Sequence, residues 1–361
     1  MYRNTFLEIN LDNLYHNCTV FTKKTGKKMM AVVKANAYGT VDYKIARFLE
    51  DKGVDFFAVS SLEEALRLRV NNIKSNILIM GYVDELDIVK QNDLSIIIPS
   101  LSFIKKFEKE LEGVRVHLKI NTGLNRLGVY PDEAKEALDI LLNAKANVEG
   151  ALTHFACMND VDYSYKQYYL FKDILEHLDY KFKYIHTAAT DVALYLEDEI
   201  SNYIRIGLGL FGYANIEHDW DLKSALSLKS SIIDCKKVTK GDGVSYGHRY
   251  ISDGEGYILT AAVGYADGVD RRLENRFVRV NDEECQIVGR ICMDLIMIKS
   301  LKPHEVGEIV EIIGDHHTVE DRRDELDSCC CEVITSISER VTKIYTSNNK
   351  IVDEVNFNKI G

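Results

Sequence analysis

Short apolar runs alternate with helical stretches through the first two thirds of the chain. The runs fall at 28–34, 55–60, 76–81, 94–99, 114–121, 148–155, 183–188 and 203–208, each with the length and texture of a buried strand. Between them the apolar positions recur with helical spacing. One such stretch opens at Ser61, with Glu64 three residues on as in a capping box. A second opens at Pro131, a favoured first helical residue, and runs through Leu138 and Leu142. The third covers 163–178 and sets Tyr169, Ile174 and Leu178 on one side. A short strand at 5–10 and a helix over 11–24, starting near Asp12, precede the series. Strands and helices in this alternation predict an α/β fold, a closed (β/α)8 TIM-type barrel, with an open doubly wound sheet as the alternative.

The texture changes from about 224. Apolar runs at 230–235, 257–263, 278–280, 284–290, 291–299 and 306–314 are separated by glycine or acidic turns such as Gly241-Asp242-Gly243 and Asn281-Asp282. This pattern predicts a mainly antiparallel β domain. A helix at 319–326 and a helical piece near 332–341 interrupt it. The expected division is a barrel over 1–224 and a β domain over 225–361.

Composition narrows the function. With 46% apolar and 28% charged residues among 361, the chain has the make-up of a compact protein. A net charge of −11, with no basic run longer than short pairs such as Lys27-Lys28 and Arg271-Arg272, argues against nucleic acid as a partner. No run reaches membrane-spanning length, and the first residues lack the apolar core of a signal peptide, so a cytoplasmic protein is expected. The eight cysteines include no CxxC pair; they are expected to be thiols, mostly small core residues, and no metal site is expected.

Candidate chemistry gathers at the predicted strand ends, where such barrels place their sites. In Ala31-Val32-Val33-Lys34-Ala35-Asn36-Ala37-Tyr38-Gly39, a lysine follows a buried strand and is flanked by small residues. Partial desolvation by Val32 and Val33 would favour its neutral, nucleophilic form, suited to an imine with an aldehyde cofactor; a plain strand cap is the other reading. Gly207-Leu208-Gly209-Leu210-Phe211-Gly212 has dinucleotide-fingerprint spacing, but no long helix is predicted after it. As the loop after the eighth barrel strand, it suits a single phosphate or a structural turn. Arg205, just before it, can only donate hydrogen bonds, either to a ring nitrogen or in a rim salt bridge. Arg126 suits a substrate carboxylate, and His154 ends the sixth strand.

Taken together, Ala31–Gly39, His117–Gly128, Thr153–Ala156, Arg205–Gly212, Val244–Gly247, Gly264–Gly268 and Gly289–Asp294 resemble the pyridoxal-phosphate alanine racemases over nearly the whole chain. The resemblance implies a barrel followed by a β domain, a homodimer with shared active sites, and a two-base racemisation of alanine that supplies D-alanine for peptidoglycan. It implies that Lys34 carries pyridoxal 5'-phosphate as an imine and that Arg205 faces the pyridine nitrogen. Tyr38, Thr190, Gly207, Leu208 and Tyr345 match phosphate-binding positions, while Arg126 and the Met293 backbone match substrate contacts. Tyr246 resembles the second base, lent to the other subunit, with His154 bonded to it; Tyr265 resembles an entrance residue. Lys119 matches a lysine that is carbamylated in some members. Departures are Ala189-Thr190 for the usual Asn-Ser, Asn121 for Asp, Thr342-Lys343 for Pro-Arg, and no His-Gly after Gly39. They leave room for serine or wider specificity. A barrel-type decarboxylase and a non-catalytic pyridoxal-phosphate-binding protein are the remaining readings; Arg205 argues against the first and the β domain against the second.

Overall fold

In the computed structural model the described residues are 4–157 and 159–357, so the outermost ends of the expected division, 1 and 361, lie outside them. The described chain forms two compact units. One runs over Tyr15–Leu210 with Ile216–Leu222; the other takes the N-terminal segment up to Leu14, Phe211–Asn215 and the chain from Lys223 onward. The early strand β1 (Phe6–Asn10) therefore joins the later part of the chain, not the barrel that follows it.

The first unit is a closed parallel barrel of β2 (Lys28–Val32), β3 (Phe56–Val59), β4 (Asn76–Ile79), β5 (Ser95–Ile98), β6 (Arg115–Lys119), β7 (Asn147–Leu152), β8 (Tyr184–Ala189) and β9 (Tyr203–Ile206), with β9 pairing back onto β2. Helices on the outside and side chains within bury both faces of these strands, which is why they read as continuous apolar runs. Rings fill the lower interior: Phe56 lies 5.0 Å from Tyr184 and 5.7 Å from Tyr203, and His117 stacks on Tyr184.

Two helix phases differ from expectation. In helix Val161–Leu178 the buried stripe is Tyr168, Phe171, Ile174 and Leu178, while Tyr169 is exposed. A step of three or four residues keeps to one face; the step of five from Tyr169 to Ile174 does not. Likewise a 3-10 turn at Pro131–Glu133 leads into helix Ala134–Asn143, which buries Leu138 and Leu141 and exposes Leu142.

The second unit is a mainly antiparallel sheet. Its later strands are β10 (Leu226–Val238), β11 (Gly243–Val244), β12 (Tyr250–Ile251), β13 (Gly256–Ala261), β14 (Phe277–Val280), β15 (Glu283–Ile287), β16 (Ile296–Ser300), β17 (Ile309–Ile313), β18 (Thr342–Ser347) and β19 (Lys350–Val355). The order β13-β16-β15-β14-β17-β10-β1-β18-β19 closes on itself where β10 also pairs with β13. Long β10 reaches both neighbours through an irregularity between Ile232 and Asp234. β1 lies antiparallel to β10 and parallel to β18. Two expected elements are shorter: 291–295 is a turn before β16, and the last helix is Cys330–Thr335, stopping before 341. Of the free cysteines only Cys18, Cys285 and Cys330 are buried, so most are not core residues as expected. Among the described residues no helix is long and apolar enough to cross a membrane.

Candidate functional site

Five neighbouring barrel strands bring the expected residues to one end. Lys119 closes β6, His154 follows β7, Thr190 follows β8, Arg205 lies in β9 and Lys34 follows β2. Register sets their heights: Lys119 pairs with Leu152, Ala189 with Arg205 and Ala31 with Ile206. The Val32–Lys34 segment and the Gly207–Leu208 loop thus leave adjacent strands side by side. A Cβ built on Gly207 would meet the Tyr38 hydroxyl at 2.1 Å, so glycine is what admits the phenol there. The buried Thr190 hydroxyl accepts the Gly209 N–H at 3.1 Å, keeping its own proton to donate. No long helix follows β9, only a 3-10 turn at Leu208–Phe211, which removes the dinucleotide reading.

Lys34 is exposed, a correction to the partial desolvation expected from Val32 and Val33. Those two are buried in the barrel wall, but the chain turns at the strand end and carries the lysine side chain out to the mouth. The turn itself is left-handed: Ala35, Asn36, Ala37 and Tyr38 have φ of 52°, 55°, 50° and 56°. For non-glycine residues this conformation costs roughly 1–2 kcal/mol each. Nothing in the sequence announces it; only Asn36 belongs to the residue types that adopt it readily. Local bonds offset the strain. Ala37 N–H donates to Val33 O at 2.8 Å, Gly39 N–H to Ala35 O at 2.9 Å, and the Thr40 hydroxyl to Ala37 O at 2.6 Å. The capping box expected at Ser61 is half made: Ser61 Oγ accepts Glu64 N–H, while the Glu64 carboxylate turns to Ser60 and Ala35.

Arg205 is buried across the top of the barrel. Its Nη1 donates to His186 Nδ1 at 2.7 Å and His186 O at 2.6 Å. Its Nη2 donates to Thr153 O at 2.8 Å and Thr187 O at 2.6 Å, with His154 Nδ1 at 3.1 Å. All four terminal N–H groups thus have protein acceptors, and the Nε–H is the one left for a ligand. Burial pushes the guanidinium down to about 9, partly offset by Asp198, so it stays charged at neutral pH. The rim salt bridge is not what this arginine makes.

Because arginine only donates, the network below it has a direction. His186 Nδ1 accepts from Arg205, so the neutral ring carries its proton on Nε2 and donates to His117 Nδ1 at 2.8 Å. His117 then turns its Nε2–H toward Glu149, 3.3 Å away but too poorly aligned for a regular hydrogen bond. Burial works to raise the Glu149 carboxyl, yet His117, Ser95 and the Arg115 charge outweigh it and bring it to about 2. Burial first, then the Arg205 charge, holds His186 well below the usual imidazole range; His117 is lowered by burial first as well. Acid should therefore weaken the fold. The unfolded chain protonates these rings below about pH 6.5 while the folded barrel does not, so each ring removes up to about 1.4 kcal/mol per pH unit below that value. Thermal unfolding followed from about pH 7.5 down to about pH 5.5 should show the decline beginning near that value, and His186→Asn should flatten it.

His154 accepts from Arg205 through Nδ1; burial, then the charges of Arg205, Arg126, Lys119 and Lys34, hold it neutral, which leaves an Nε2–H to donate. Lys119 is buried, and Arg126 is exposed. Burial and the positive charges of Arg126 and Arg205 lower the Lys119 amine to about 8.

The second unit carries the other expected residues. Tyr246 is 72% exposed on a 3-10 turn Tyr246–His248. With Tyr265, Met293 and Arg290 it lines a cavity of about 610 Å³. Arg340 braces this region, bonding the buried Asp267 at 2.8 Å and Asp294 at 2.8 Å. The Met293 carbonyl accepts Ala266 N–H at 3.1 Å. Tyr345 is buried in β18 beside Lys343, whose amine donates to Ser338 O at 2.6 Å. Sequence reasoning passed over Glu149 and gave no supporting role to His186 or Thr153. The visible signal was a polar residue inside an apolar barrel run, which needs a buried partner.

A flat ring with one acceptor nitrogen and a phosphate fits these residues: one arginine N–H is available at the mouth, and hydroxyls and a glycine loop flank the strand ends. Residues 9–215 match the family model for the N-terminal domain of alanine racemase and 225–345 that for its C-terminal domain. An alanine racemase of Ligilactobacillus salivarius is 34% identical over 95% of this chain and 98% of its own. The crystal structure of alanine racemase from Bacillus anthracis with bound L-Ala-P superposes with a TM-score of 0.91 at 32% identity, covering 99% of this chain and 98% of that one. A histidine racemase from Leuconostoc mesenteroides has a TM-score of 0.89 at 27% identity, covering 96% and 99%.

Proposed function

The chain belongs to the alanine racemase family, and from that membership we propose that it interconverts L- and D-alanine with pyridoxal 5'-phosphate as cofactor. It is an isomerase acting on amino acids. The observation that carries the proposal is Arg205, whose terminal N–H groups are all taken by the protein while Nε–H stays available at the barrel mouth. Apart from Tyr345, the residues on the cofactor side of the site fall in the expected barrel part, 1–224, and the second base in 225–361.

When bound, the cofactor supplies an electron-withdrawing ring that acidifies the Cα–H of an attached amino acid. Lys34 would hold the cofactor's aldehyde carbon and, as the amine, would exchange a proton on one face of the substrate. The partner subunit's Tyr246 does the same on the other face, so a proton taken from one side is replaced from the other. Its exposure in the single chain suits a residue that works on a second subunit of a homodimer. His154 Nε2–H would donate to the Tyr246 hydroxyl oxygen and hold it toward the substrate. Arg205 Nε–H would donate to the ring nitrogen without protonating it, which would restrain charge build-up on the ring. Tyr38, Thr190, Gly207 and Leu208 would hold the phosphate, a role that Tyr345 would share on the family pattern alone. Arg126 and the Met293 backbone bind the substrate carboxylate, and Tyr265 stands at the entrance. On the same pattern the product D-alanine goes to cell-wall peptidoglycan.

Arg126 needs a counter-charge, and Lys119 offers one in modified form. Its amine, lowered to about 8 and facing positive charge, adds carbon dioxide: the N–C bond forms, one proton leaves, and an anionic carbamate results. NMR under isotopically labelled carbon dioxide should show a carbamate carbon that Lys119→Met removes, and KM for alanine should rise about tenfold in the variant. A spectrum without that signal would remove the carbamate.

Proton NMR of the protein with pyridoxal phosphate and L-alanine in heavy water tests the function directly. The α-proton signal should vanish while D-alanine appears. The histidine racemase that shares this frame makes serine, histidine and the basic amino acids the next substrates to try. Silence across all of them, with cofactor bound, would leave a cofactor-binding protein.

A further inference from the structure

Two site residues, Lys34 and Tyr38, sit on one short turn of unfavourable hand, and its position depends on what grips it from outside. Helix Leu62–Val70 grips it at two points. Near the helix start, the Glu64 carboxylate accepts the Ala35 N–H at 2.6 Å through Oε1, and the Ser60 N–H at 2.7 Å and Ser60 hydroxyl at 3.1 Å through Oε2. It thereby ties the peptide that follows Lys34 to the end of strand β3. One helical turn on, Arg67 Nε contacts both oxygens of Asp42 at 2.8 and 3.0 Å, with Nη2 at 2.5 Å. Asp42 is fully buried, and its own N–H donates to the Asn36 side chain at 3.1 Å. Glu64 and Arg67 are three residues apart, the spacing that places both on one face of a helix. The same helix therefore pins the turn just after Lys34 and just beyond Tyr38.

We infer that Glu64 is a positioning residue for Lys34: its carboxylate holds the Ala35 N–H so that the lysine amine stands at a fixed height over the barrel mouth. This rests on the reading of Lys34 as the cofactor-bearing residue. A carboxylate is suited to the task because it offers two acceptor oxygens to two separate N–H groups and a hydroxyl. An amide in its place turns one acceptor into a donor facing a donor, and alanine removes both. The peptide after Lys34 would then be free to leave the left-handed conformation.

A built-in control exists at the other end of the barrel. Glu50 makes a comparable tie through a single oxygen, Oε1 accepting from Lys74 N–H at 2.8 Å, Ser75 N–H at 2.7 Å and the Ser75 hydroxyl at 2.7 Å. Glu64→Gln, Glu64→Ala and Glu50→Gln should be compared for hydrogen exchange of the 34–41 amides without cofactor. With cofactor, the comparison is of kcat and of the pH midpoint of the Lys34-dependent visible absorbance. Both Glu64 variants should speed exchange at Ala35, shift the absorbance midpoint and lower kcat by on the order of tenfold or more, since a displacement near 1 Å at a reacting group has effects of that size. KM should change far less. Glu50→Gln should lower the melting temperature and leave all three readouts at wild-type values. If Glu64→Ala does not fold, Glu64→Gln decides alone. Glu64 variants that match Glu50→Gln, less stable but with unchanged exchange at 34–41, midpoint and kcat, overturn the inference. A wild-type protein with no Lys34-dependent absorbance would instead sink the underlying functional reading.

Discussion

Lys34→Ala should abolish loss of the α-proton from alanine in heavy water, by a factor on the order of 10³ or more. On the proposed mechanism the substitution removes two things at once: the amine that would hold the cofactor and one of the two groups that would exchange the substrate's proton. Folding should be spared. Lys34 is exposed, and surface substitutions away from buried features stay within about 0.5 kcal/mol. The left-handed turn begins after it and its bonds run through the backbone, through Thr40, Glu64 and Asn36, so alanine leaves them in place. The measurement therefore separates chemistry from structure: an unchanged melting temperature with no exchange and a changed visible spectrum. Exchange persisting at wild-type rate in the variant would remove Lys34 from the mechanism.

Tyr246→Phe should produce a loss of about 10²–10⁴ in racemisation with α-proton exchange surviving from one enantiomer only. The ring is kept and only the hydroxyl goes, from a side chain that is 72% exposed, so no packing explanation is available for the loss. If the phenol serves the other subunit, the two defects should complement. In a two-fold symmetric dimer, one Lys34→Ala and one Tyr246→Phe subunit leave one site with both defects and one site with neither. Random mixing of the two inactive proteins should then recover about one quarter of wild-type activity, because about half of the dimers are mixed and each carries one intact site. Mixing without recovery, after subunit exchange is demonstrated, would show that Tyr246 does not act across the dimer.

Much of this molecule was legible as written because barrel strands are buried on both faces. Runs such as Lys28–Val32 and Ser95–Ile98 stand out against their polar surroundings, and polar residues at their ends, Lys34, Lys119 and Arg205 among them, mark one rim. Helix phase was less secure. Tyr168 and Tyr169 are chemically alike, and only packing against the barrel decides which is buried. β1 is assigned to the second unit by pairing between Phe6 and Thr342, a contact that no local pattern encodes.

The order of the barrel strands, the succession of a barrel by a β domain and the polar residues at the rim followed from the sequence alone, since each depends on local periodicity or on the type of a single side chain. Three matters were decided by the tertiary structure. The hand of the Ala35–Tyr38 turn is one, because local preference opposes it and bonds from Glu64 and Asn36 offset the strain. The free Nε–H of Arg205 is another, because it exists only once four acceptors from β8 and the end of β7 have taken the other donors. The last is the exposure of Lys34, set by where the chain turns out of the barrel wall. A sequence specifies which groups are present; whether a donor is spent or available is a property of what surrounds it, and those neighbours come from distant parts of the chain.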